Sequence, residues 1–292
     1  MIFWNNSAAF QLAGGFKMPK ETVGFIGVGE MGKPMAQGII EKGIDLIVHD
    51  IREEPVKELA RLGAKVGGSP KEIGALCTIT ILMVVDTAQA EEVILGKNGV
   101  LMSAQEGSVI VVMSTVDPLF CENTAQIAAK KGVGFLDAPV SGGRRGAEAH
   151  TLTILVGGEE SLLKKCHYVF EAMGNNIFHV GKVGNGEVIK LANNSIIHAI
   201  LIGTAGGLAL AAKAGVPAGR FLNIIRTTSA KNWVAENWEY WSNKAKPEGK
   251  DSLYITQKDM GHVRDLAKSY GLNLPLVERL PKLDIAKIIG QK

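Results

Sequence analysis

A glycine-rich turn constrains this chain more than any other feature of its sequence. The letters GVGEMG begin at Gly27, directly after the apolar run TVGFI, and helical spacing of apolar residues follows from Met31. This pattern predicts a strand-to-helix turn. There Gly27 permits the tight bend, Gly29 lets the backbone approach a pyrophosphate, and Gly32 lets the helix pack close to the strand. The sequence therefore predicts dinucleotide binding, and the alternative is a glycine turn used only for packing.

The acidic residue that follows this unit bears on the choice of cofactor. The next apolar run, DLIVHD, ends at Asp50, at the offset where a carboxylate accepts hydrogen bonds from the ribose hydroxyls of NAD. Arg52 comes just after it and offers a partner for the 2′-phosphate of NADP. A carboxylate facing that phosphate would bring two anions together unless Arg52 neutralised one of them. We predict NAD as the cofactor, with NADP as the alternative. The plain interpretation of Arg52 is a solvated residue that opens the next helix.

Composition limits the class of protein. A chain of 292 residues exceeds what one dinucleotide-binding unit needs, so two domains are expected. The net charge is +3, and no basic block or aromatic-basic stripe points to nucleic acid. The three cysteines, Cys77, Cys121 and Cys166, lie far apart without CxxC spacing. We interpret them as buried thiols in a reducing, cytoplasmic compartment, with neither disulfides nor a bound metal.

The order of apolar runs predicts an α/β fold. Strands alternate with helices as in a doubly wound parallel sheet. The predicted strands span 22–26, 45–49, 79–85, 108–113 and 134–136, with helices that include 53–62 and 118–131, and runs at 152–156 and 176–180 are expected to extend the sheet. After Gly184 the pattern becomes helical. A long helix to about residue 214 is followed by helices at 221–227, 255–270 and 276–289.

Three segments follow from this pattern. We predict an N-terminal appendage at 1–19, a Rossmann domain at 20–182 and an all-helical substrate and oligomerisation domain at 183–292. The appendage has no basic region before its apolar stretch and no arginine, which argues against a secretory signal and a mitochondrial presequence. The uncharged stretch 195–212 is long enough to span a membrane, but its small residues and His198 favour a buried helix of a soluble protein.

The loop DAPVSGG is a candidate substrate site. It follows the strand at 134–136 and therefore lies at the carboxyl edge of the sheet, where doubly wound proteins bind ligands. Ser141, Gly142 and Gly143 would offer backbone N–H groups and one hydroxyl to a substrate carboxylate. The alternative is a plain glycine turn.

A lysine on the long apolar helix is the candidate acid/base. The segment GNGEVIKLANNS places Gly186, Lys190 and Asn194 on one helical face. Burying an ammonium lowers its pKa from about 10.4, which suits proton transfer near neutrality. The competing interpretation is a surface ion pair with Glu187, three residues earlier.

Two further segments have plainer interpretations when taken alone. Lys258 and Asp259, in QKDM, are typical of a solvated charge pair on a polar helix. Three of the four tryptophans lie in the segment 232–252. They are interpreted as core or subunit-contact anchors, with a ligand-binding role as the alternative.

These motifs together resemble a known family. GFIGVGEMGKPMA, DAPVSGG, GAEAHTLTILVGG, GNGEVIKLANN and QKDM occur in the order and spacing of the 3-hydroxyisobutyrate dehydrogenase family of β-hydroxyacid dehydrogenases, over residues 22–275. The resemblance implies a Rossmann domain, an all-helical domain joined to it by the long helix, and an active site in the cleft between them. It further implies hydride transfer between a nicotinamide cofactor and a small β-hydroxyacid or its semialdehyde, in a homodimer or homotetramer.

The resemblance also assigns roles to individual residues of this sequence, position by position. The resemblance implies that Ser141, Gly142 and Gly143 bind the substrate carboxylate, that Lys190 is the catalytic acid/base, and that Asn194 orients the substrate. The expected cofactor-binding set is Gly27, Val28, Gly29, Glu30, Met31, Gly32, Asp50, Ile51, Arg52, Val84, Thr115 and Lys258.

Departures and rivals leave the substrate open. Many relatives have an aromatic residue where this chain has Asp251, and Arg144 and Arg145 are candidates for a second carboxylate or plain solvated residues. Two related families fit this sequence less well. The 6-phosphogluconate dehydrogenases are longer and carry a histidine where this chain has Ala192-Asn193, and imine reductases generally lack a lysine at the position of Lys190. An NADP-dependent semialdehyde or glyoxylate reductase is the alternative enzyme. A non-catalytic dinucleotide-binding module would not need Lys190.

Overall fold

The computed structural model describes residues 21–244, 250–280 and 288. The predicted appendage at 1–19 lies outside the described residues, and so does most of the predicted helix 276–289 beyond residue 280.

A six-stranded parallel sheet forms the first half of the protein. Its strand order is β3-β2-β1-β4-β5-β6. The strands are β1 (Val23–Ile26), β2 (Leu46–His49), β3 (Lys65–Val66), β4 (Ile79–Leu82), β5 (Val109–Val112) and β6 (Gly134–Asp137). The connecting helices are α1 (Gly32–Glu41), α2 (Glu53–Arg61), α3 (Pro70–Leu76), α4 (Thr87–Leu95) and α5 (Pro118–Ala129). This order confirms the predicted Rossmann fold.

Burial explains why these short runs form the sheet. All four residues of β1, β4 and β5 are buried, because helices cover both faces and leave no solvent-facing side. Two buried apolar clusters lie on the opposite faces, one around Phe25 and the other around Leu82. The edge strand β3 was not predicted, since it has only two residues and both are exposed.

A second, three-stranded sheet corrects the sequence prediction. The runs expected to extend the first sheet instead pair in the order β7-β8-β9. These strands are β7 (Val140–Ser141), β8 (Leu152–Val156) and β9 (Gly174–His179), accompanied by α6 (Gly143–Glu148) and α7 (Glu160–Phe170). β7 runs antiparallel to β8, and a single bridge from Asp137 to Gly157 joins the two sheets. The chain runs on from β6 into β7, since the pairs Asp137–Gly157 and Val140–Ile154 lie in one antiparallel register along β8. The chain turns back only after β7, through α6, so β8 runs antiparallel to both.

The described remainder of the chain is helical. It contains α8 (Asn185–Lys213), α9 (Ala218–Ile225), α10 (Trp233–Glu236), α11 (Trp238–Lys244), α12 (Lys250–Ser269) and α13 (Pro275–Arg279). Leu191 of α8 packs against Met260 and Val263 of α12. Trp238 packs against a buried cluster that includes Leu208, as expected of a core anchor.

The first turn of α8 is bonded to the end of β6. Asp137 accepts hydrogen bonds from the N–H groups of Gly184 at 2.8 Å and Glu187 at 3.0 Å. A Cβ on Gly186 would stand 2.3 Å from the carbonyl oxygen of Leu155, so only glycine allows this approach. The long helix is therefore anchored directly to the carboxyl edge of the sheet.

Much of α8 is apolar and uncovered within the chain. Among the described helices it is the one whose length and composition would suffice to cross a membrane, although a core helix of a soluble protein passes the same test. Only 28% of its most hydrophobic window is buried. Ile196 is 61% exposed and Leu210 is 75% exposed.

The cysteines are buried and unpaired, as predicted. Burial raises the pKa of Cys77 and of Cys166 to about 12. Both thiols are therefore protonated and unreactive near neutrality.

Candidate active site

The glycine turn has the geometry of a phosphate cradle. Gly27 follows β1 with a φ of +91°, which favours glycine. A Cβ on Gly32 would lie 1.9 Å from the carbonyl oxygen of Gly27, so the start of α1 packs against the turn as the motif requires. No side chain caps the first turn of α1, which also lacks an acidic residue. This end of α1 suits an anionic ligand.

Asp50 is built into the same turn. Its Oδ2 accepts a hydrogen bond from the Val28 N–H at 2.8 Å, which ties the end of β2 to the glycine turn. Its Oδ1 accepts from the backbone N–H of Arg52 at 2.9 Å. Burial opposes ionisation of this carboxyl, but the hydrogen bonds and charge of Arg52 outweigh it, so the pKa of Asp50 lies below its usual value.

Arg52 lies over the turn and is not an isolated surface residue. Its guanidinium donates to Asp50 at 3.1 Å through both Nε and Nη2. A Cβ on Gly29 would stand 2.9 Å from Nη2 of Arg52. The neighbouring Ile51 is 94% exposed, an unusual position for a large apolar side chain. An exposed apolar face beside Asp50, the carboxylate predicted to bind the ribose, suits an adenine ring.

Lys258 links the helical half to two loops at the carboxyl edge of the sheet. Its ammonium donates to the carbonyl of Thr115 at 2.6 Å and to that of Val85 at 3.1 Å. These loops follow β5 and β4, and Val84 is fixed by its own N–H bond to Ser114 Oγ at 2.7 Å. The β1 and β4 strands meet where the strand order reverses, which is the usual ligand crevice.

The KD pair is buried, which corrects the solvated interpretation. The side chains of Lys258 and Asp259 are only 10% and 3% exposed, and Lys258 Nζ lies 3.3 Å from Asp259 Oδ1. Asp259 Oδ2 accepts a hydrogen bond from Asn194 Nδ2 at 2.7 Å. Asp259 thus connects the predicted cofactor-side lysine to the predicted substrate-orienting amide.

Lys190 lies one helical turn before Asn194 on α8. Within the part of the chain that the structure describes, its ammonium forms neither a hydrogen bond nor an ion pair. Burial lowers the pKa of Lys190, although the carboxyls of Asp259 and Glu187 act in the opposite direction. An amine with a lowered pKa beside a crevice is a candidate for proton transfer.

The alternative surface ion pair between Lys190 and Glu187 is wrong. Glu187 is 0% exposed, and its Oε2 accepts from the Val116 N–H at 3.2 Å. Its side chain therefore points into the junction between α8 and the sheet.

The Ser141–Gly143 loop takes an irregular backbone path. Gly142 has a φ of +124° and Gly143 a φ of +60°, so both positions favour glycine. A Cβ on Gly143 would lie 3.3 Å from the hydroxyl of Tyr240 on α11. Arg145 donates to Asn237 at 3.1 Å, which also brings the tryptophan-rich segment to this loop. No hydrogen bond among the described residues joins the loop to Lys190.

Sequence reasoning missed three polar residues that organise this region. Asp137 receives no role within DAPVSGG, Glu187 is considered only as a surface partner of Lys190 in the competing interpretation, and His198 serves only to argue against a membrane helix. His198 is 7% exposed, with no hydrogen-bond partner for Nδ1 among the described residues. Each is a titratable residue in an apolar run, and that was the available signal.

Comparisons with known proteins identify relatives of both halves of the chain. A family model described as the NAD binding domain of 6-phosphogluconate dehydrogenase matches residues 22–181. A second, described as NAD-binding of NADP-dependent 3-hydroxyisobutyrate dehydrogenase, matches residues 184–283. Together they span the six-stranded sheet, its second sheet and the helical half.

Individual relatives match along most of their length. A probable mitochondrial 3-hydroxyisobutyrate dehydrogenase of Dictyostelium discoideum is 36% identical over 93% of this chain and 88% of its own. The 2-(hydroxymethyl)glutarate dehydrogenase of Eubacterium barkeri is 33% identical, over 87% and 85%. The structure of Mycobacterium tuberculosis 3-hydroxyisobutyrate dehydrogenase with L-serine has 26% identity and a TM-score of 0.78, covering 93% of this chain and 98% of that one. The chain therefore belongs to the 3-hydroxyisobutyrate dehydrogenase family of NAD(P)-dependent hydroxyacid dehydrogenases.

Proposed function

We propose that this enzyme interconverts a small β-hydroxyacid and its semialdehyde, with NAD as the preferred cofactor and Lys190 as the acid/base. The observation that carries this proposal is the lysine itself. Its pKa is lowered by burial, and it lies one turn from Asn194, which is bonded to Asp259.

The residues of the turn fit a dinucleotide. Gly27 allows the tight turn, Gly32 lets α1 pack against it, and Gly29 lets the backbone approach a pyrophosphate. The first turn of α1 is uncapped and suits the phosphates. Asp50 is ionised and fixed by Val28, so it is prepared to accept hydrogen bonds from ribose hydroxyls. We propose that Glu30, Met31, Ile51, Val84, Thr115 and Lys258 complete the contacts to the cofactor.

The preference for NAD is supported by the pairing of Asp50 with Arg52. Both carboxylate oxygens of Asp50 hold the Arg52 guanidinium, which reduces the charge left for a 2′-phosphate. The side chain of Arg52 is nevertheless 60% exposed beside Gly29. NADP therefore remains the alternative cofactor.

The chemistry follows from the groups present. A bound nicotinamide would supply the hydride acceptor for oxidation of the alcohol carbon and the hydride donor for the reverse reaction. Lys190 as a neutral amine takes the hydroxyl proton during oxidation. As an ammonium it stabilises the developing alkoxide during reduction and then protonates it. Ser141, Gly142 and Gly143 hold the carboxylate, and Asn194 orients the substrate.

The relatives define the substrate panel. Their names include dehydrogenases of 3-hydroxyisobutyrate and of 2-(hydroxymethyl)glutarate, and one structure contains L-serine. All three compounds carry a carboxylate and a primary alcohol. We expect nicotinamide absorbance to change with at least one of these compounds or with glycerate or 4-hydroxybutyrate, and faster with NAD than with NADP. A protein that binds dinucleotide but turns over none of them would instead be a binding module.

We further propose a cytoplasmic homodimer or homotetramer assembled through α8. The apolar side chains that α8 leaves uncovered, including Ile196 and Leu210, support an interface between copies of the chain. The three buried thiols are consistent with a reducing compartment. Light scattering after size-exclusion chromatography and cell fractionation test these two points.

A further inference from the structure

Two carboxyl groups meet at the first turn of α8, and only one of them has adequate partners. Asp137 accepts N–H groups at 2.8 and 3.0 Å from Gly184 and Glu187. Glu187 accepts only the Val116 N–H, at 3.2 Å, and its buried Oε1 has no hydrogen-bond partner among the described residues. Both side chains belong to fully buried residues.

This asymmetry favours Asp137 over Glu187 as the ionised group. Asp137 lies at the N-terminus of a 29-residue helix, where the peptide dipoles and free N–H groups stabilise an anion. A carboxylate at Glu187 would be a buried charge with one hydrogen bond and an anionic neighbour. Burial raises the pKa of both groups, and that of Glu187 lies well above its usual range.

Charged and titratable groups reach Glu187 from several elements. They are Asp137 at the end of β6, Cys121 of α5, Lys190 on the same helix and Lys258 of α12. The two ammonium groups favour ionisation, but neither forms an ion pair with Glu187 within the described residues. Cys121 is buried, and its pKa is raised well above the usual value, so its thiol is neutral.

We propose that Glu187 is a positioning residue that carries a proton in the working enzyme. As a neutral carboxyl it holds the Val116 N–H and so fixes the adjacent Thr115, whose carbonyl binds Lys258. It also leaves no negative charge three residues before Lys190. An ionised Glu187 would raise the pKa of Lys190, so the lysine would become a neutral base only at higher pH.

The protonation state is measured without any reaction. Infrared spectra of the wild-type protein and of Glu187→Gln are compared near neutral pH. The difference spectrum is expected to contain a carboxylic-acid C=O band that shifts in D₂O. Asp137→Asn serves as the matched control and should retain that band. Absence of the band from the difference spectrum overturns the proposal.

Kinetics test whether Glu187 adds a negative charge near Lys190, and this test rests on the proposed acid/base role of Lys190. Glu187→Gln preserves shape, neutrality and the acceptor for Val116, so kcat should stay within about threefold of wild type. The inflection of kcat with pH that reports Lys190 should not move. A clear fall of that inflection in Glu187→Gln shows that the wild-type side chain was charged and overturns the proposal.

Glu187→Ala removes the acceptor for Val116 and should lower both kcat and dinucleotide affinity. Dinucleotide binding comparable to wild type in a folded Glu187→Ala protein would contradict the positioning role. A different result would contradict the proposed function, namely full turnover by a Lys190 variant. That result would not change the infrared band of Glu187, so the two failures can be distinguished.

Discussion

Asn194 Nδ2 donates a 2.7 Å hydrogen bond to Asp259 Oδ2, and this bond joins the middle of α8 to α12 at a buried position. The other oxygen of Asp259 faces the ammonium of Lys258 at 3.3 Å. The Asp259 carboxylate thus orients two groups. One is the Asn194 amide, which we propose contacts the substrate, and the other is the Lys258 ammonium, which binds two loops at the edge of the sheet.

Replacing Asp259 should therefore disturb catalysis in two ways. In Asp259→Ala, Asn194 and Lys258 lose a buried partner, and kcat should fall by about tenfold or more. Since the Asp259 charge raises the pKa of Lys190, its removal should shift the inflection of the pH–kcat profile to lower pH. Asp265→Ala removes an exposed carboxylate from the same helix and should change neither quantity. An unchanged profile in Asp259→Ala would contradict this coupling.

Lys190→Ala should lower kcat by about a hundredfold or more, the usual scale for losing a general acid/base. Dinucleotide affinity, measured by fluorescence titration, should change little. In the wild type, oxidation should accelerate as pH rises through a pKa below about 10.4, because the neutral amine is the proposed base. The exposed Lys164 of α7 provides the matched control as Lys164→Ala. Near-normal turnover of Lys190→Ala would refute the mechanism.

Asp50→Ala should weaken NAD and narrow its advantage over NADP. The variant loses the proposed acceptor for ribose hydroxyls, and it releases Arg52 from three hydrogen bonds. Dissociation constants for both cofactors measure the change, with Glu53→Ala, an exposed carboxylate on α2, as the control. A wild-type protein that already prefers NADP would show that Arg52 determines the choice.

Gly32→Ala should destabilise the fold as well as the cofactor site. Its Cβ would stand 1.9 Å from the Gly27 carbonyl, and the shift needed costs about 1–3 kcal/mol in the free energy of unfolding. Gly219→Ala on α9 has no atom within 4 Å of the added Cβ and should leave the melting temperature unchanged or slightly higher. Equal melting temperatures for the two variants would contradict the close packing of α1 on the turn.

Charges on the uncovered face of α8 should separate the subunits. Ile196→Lys combined with Leu210→Lys places two ammonium groups at positions 61% and 75% exposed within one chain. The oligomer mass measured by light scattering should fall to about that of the 31.1 kDa chain. Leu119→Lys, at an exposed position of α5, should leave it unchanged. A wild-type monomer would exclude the proposed assembly.

Local patterns predicted most of the fold because they are set by short-range chemistry. The Gly27 turn and the position of Asp50 follow from steric and hydrogen-bonding needs that lie within one βαβ unit. The second sheet was predicted wrongly, since the direction and partners of β8 depend on how α6 returns the chain beside β7. The burial of Glu187, Lys258 and Asp259 was also missed, because charged residues on helices are usually solvated and only tertiary contacts reveal the exceptions.

The anchoring of α8 at Asp137 and Val116 has a mechanical consequence. The first turn of the helix is held by three hydrogen bonds to the sheet side, through the N–H groups of Gly184 and Glu187 and the side chain of Glu187. That turn cannot act as a hinge without breaking buried hydrogen bonds. Any opening of the crevice would therefore have to be accommodated farther along α8 or in the loops that Lys258 holds, with the base of the helix fixed.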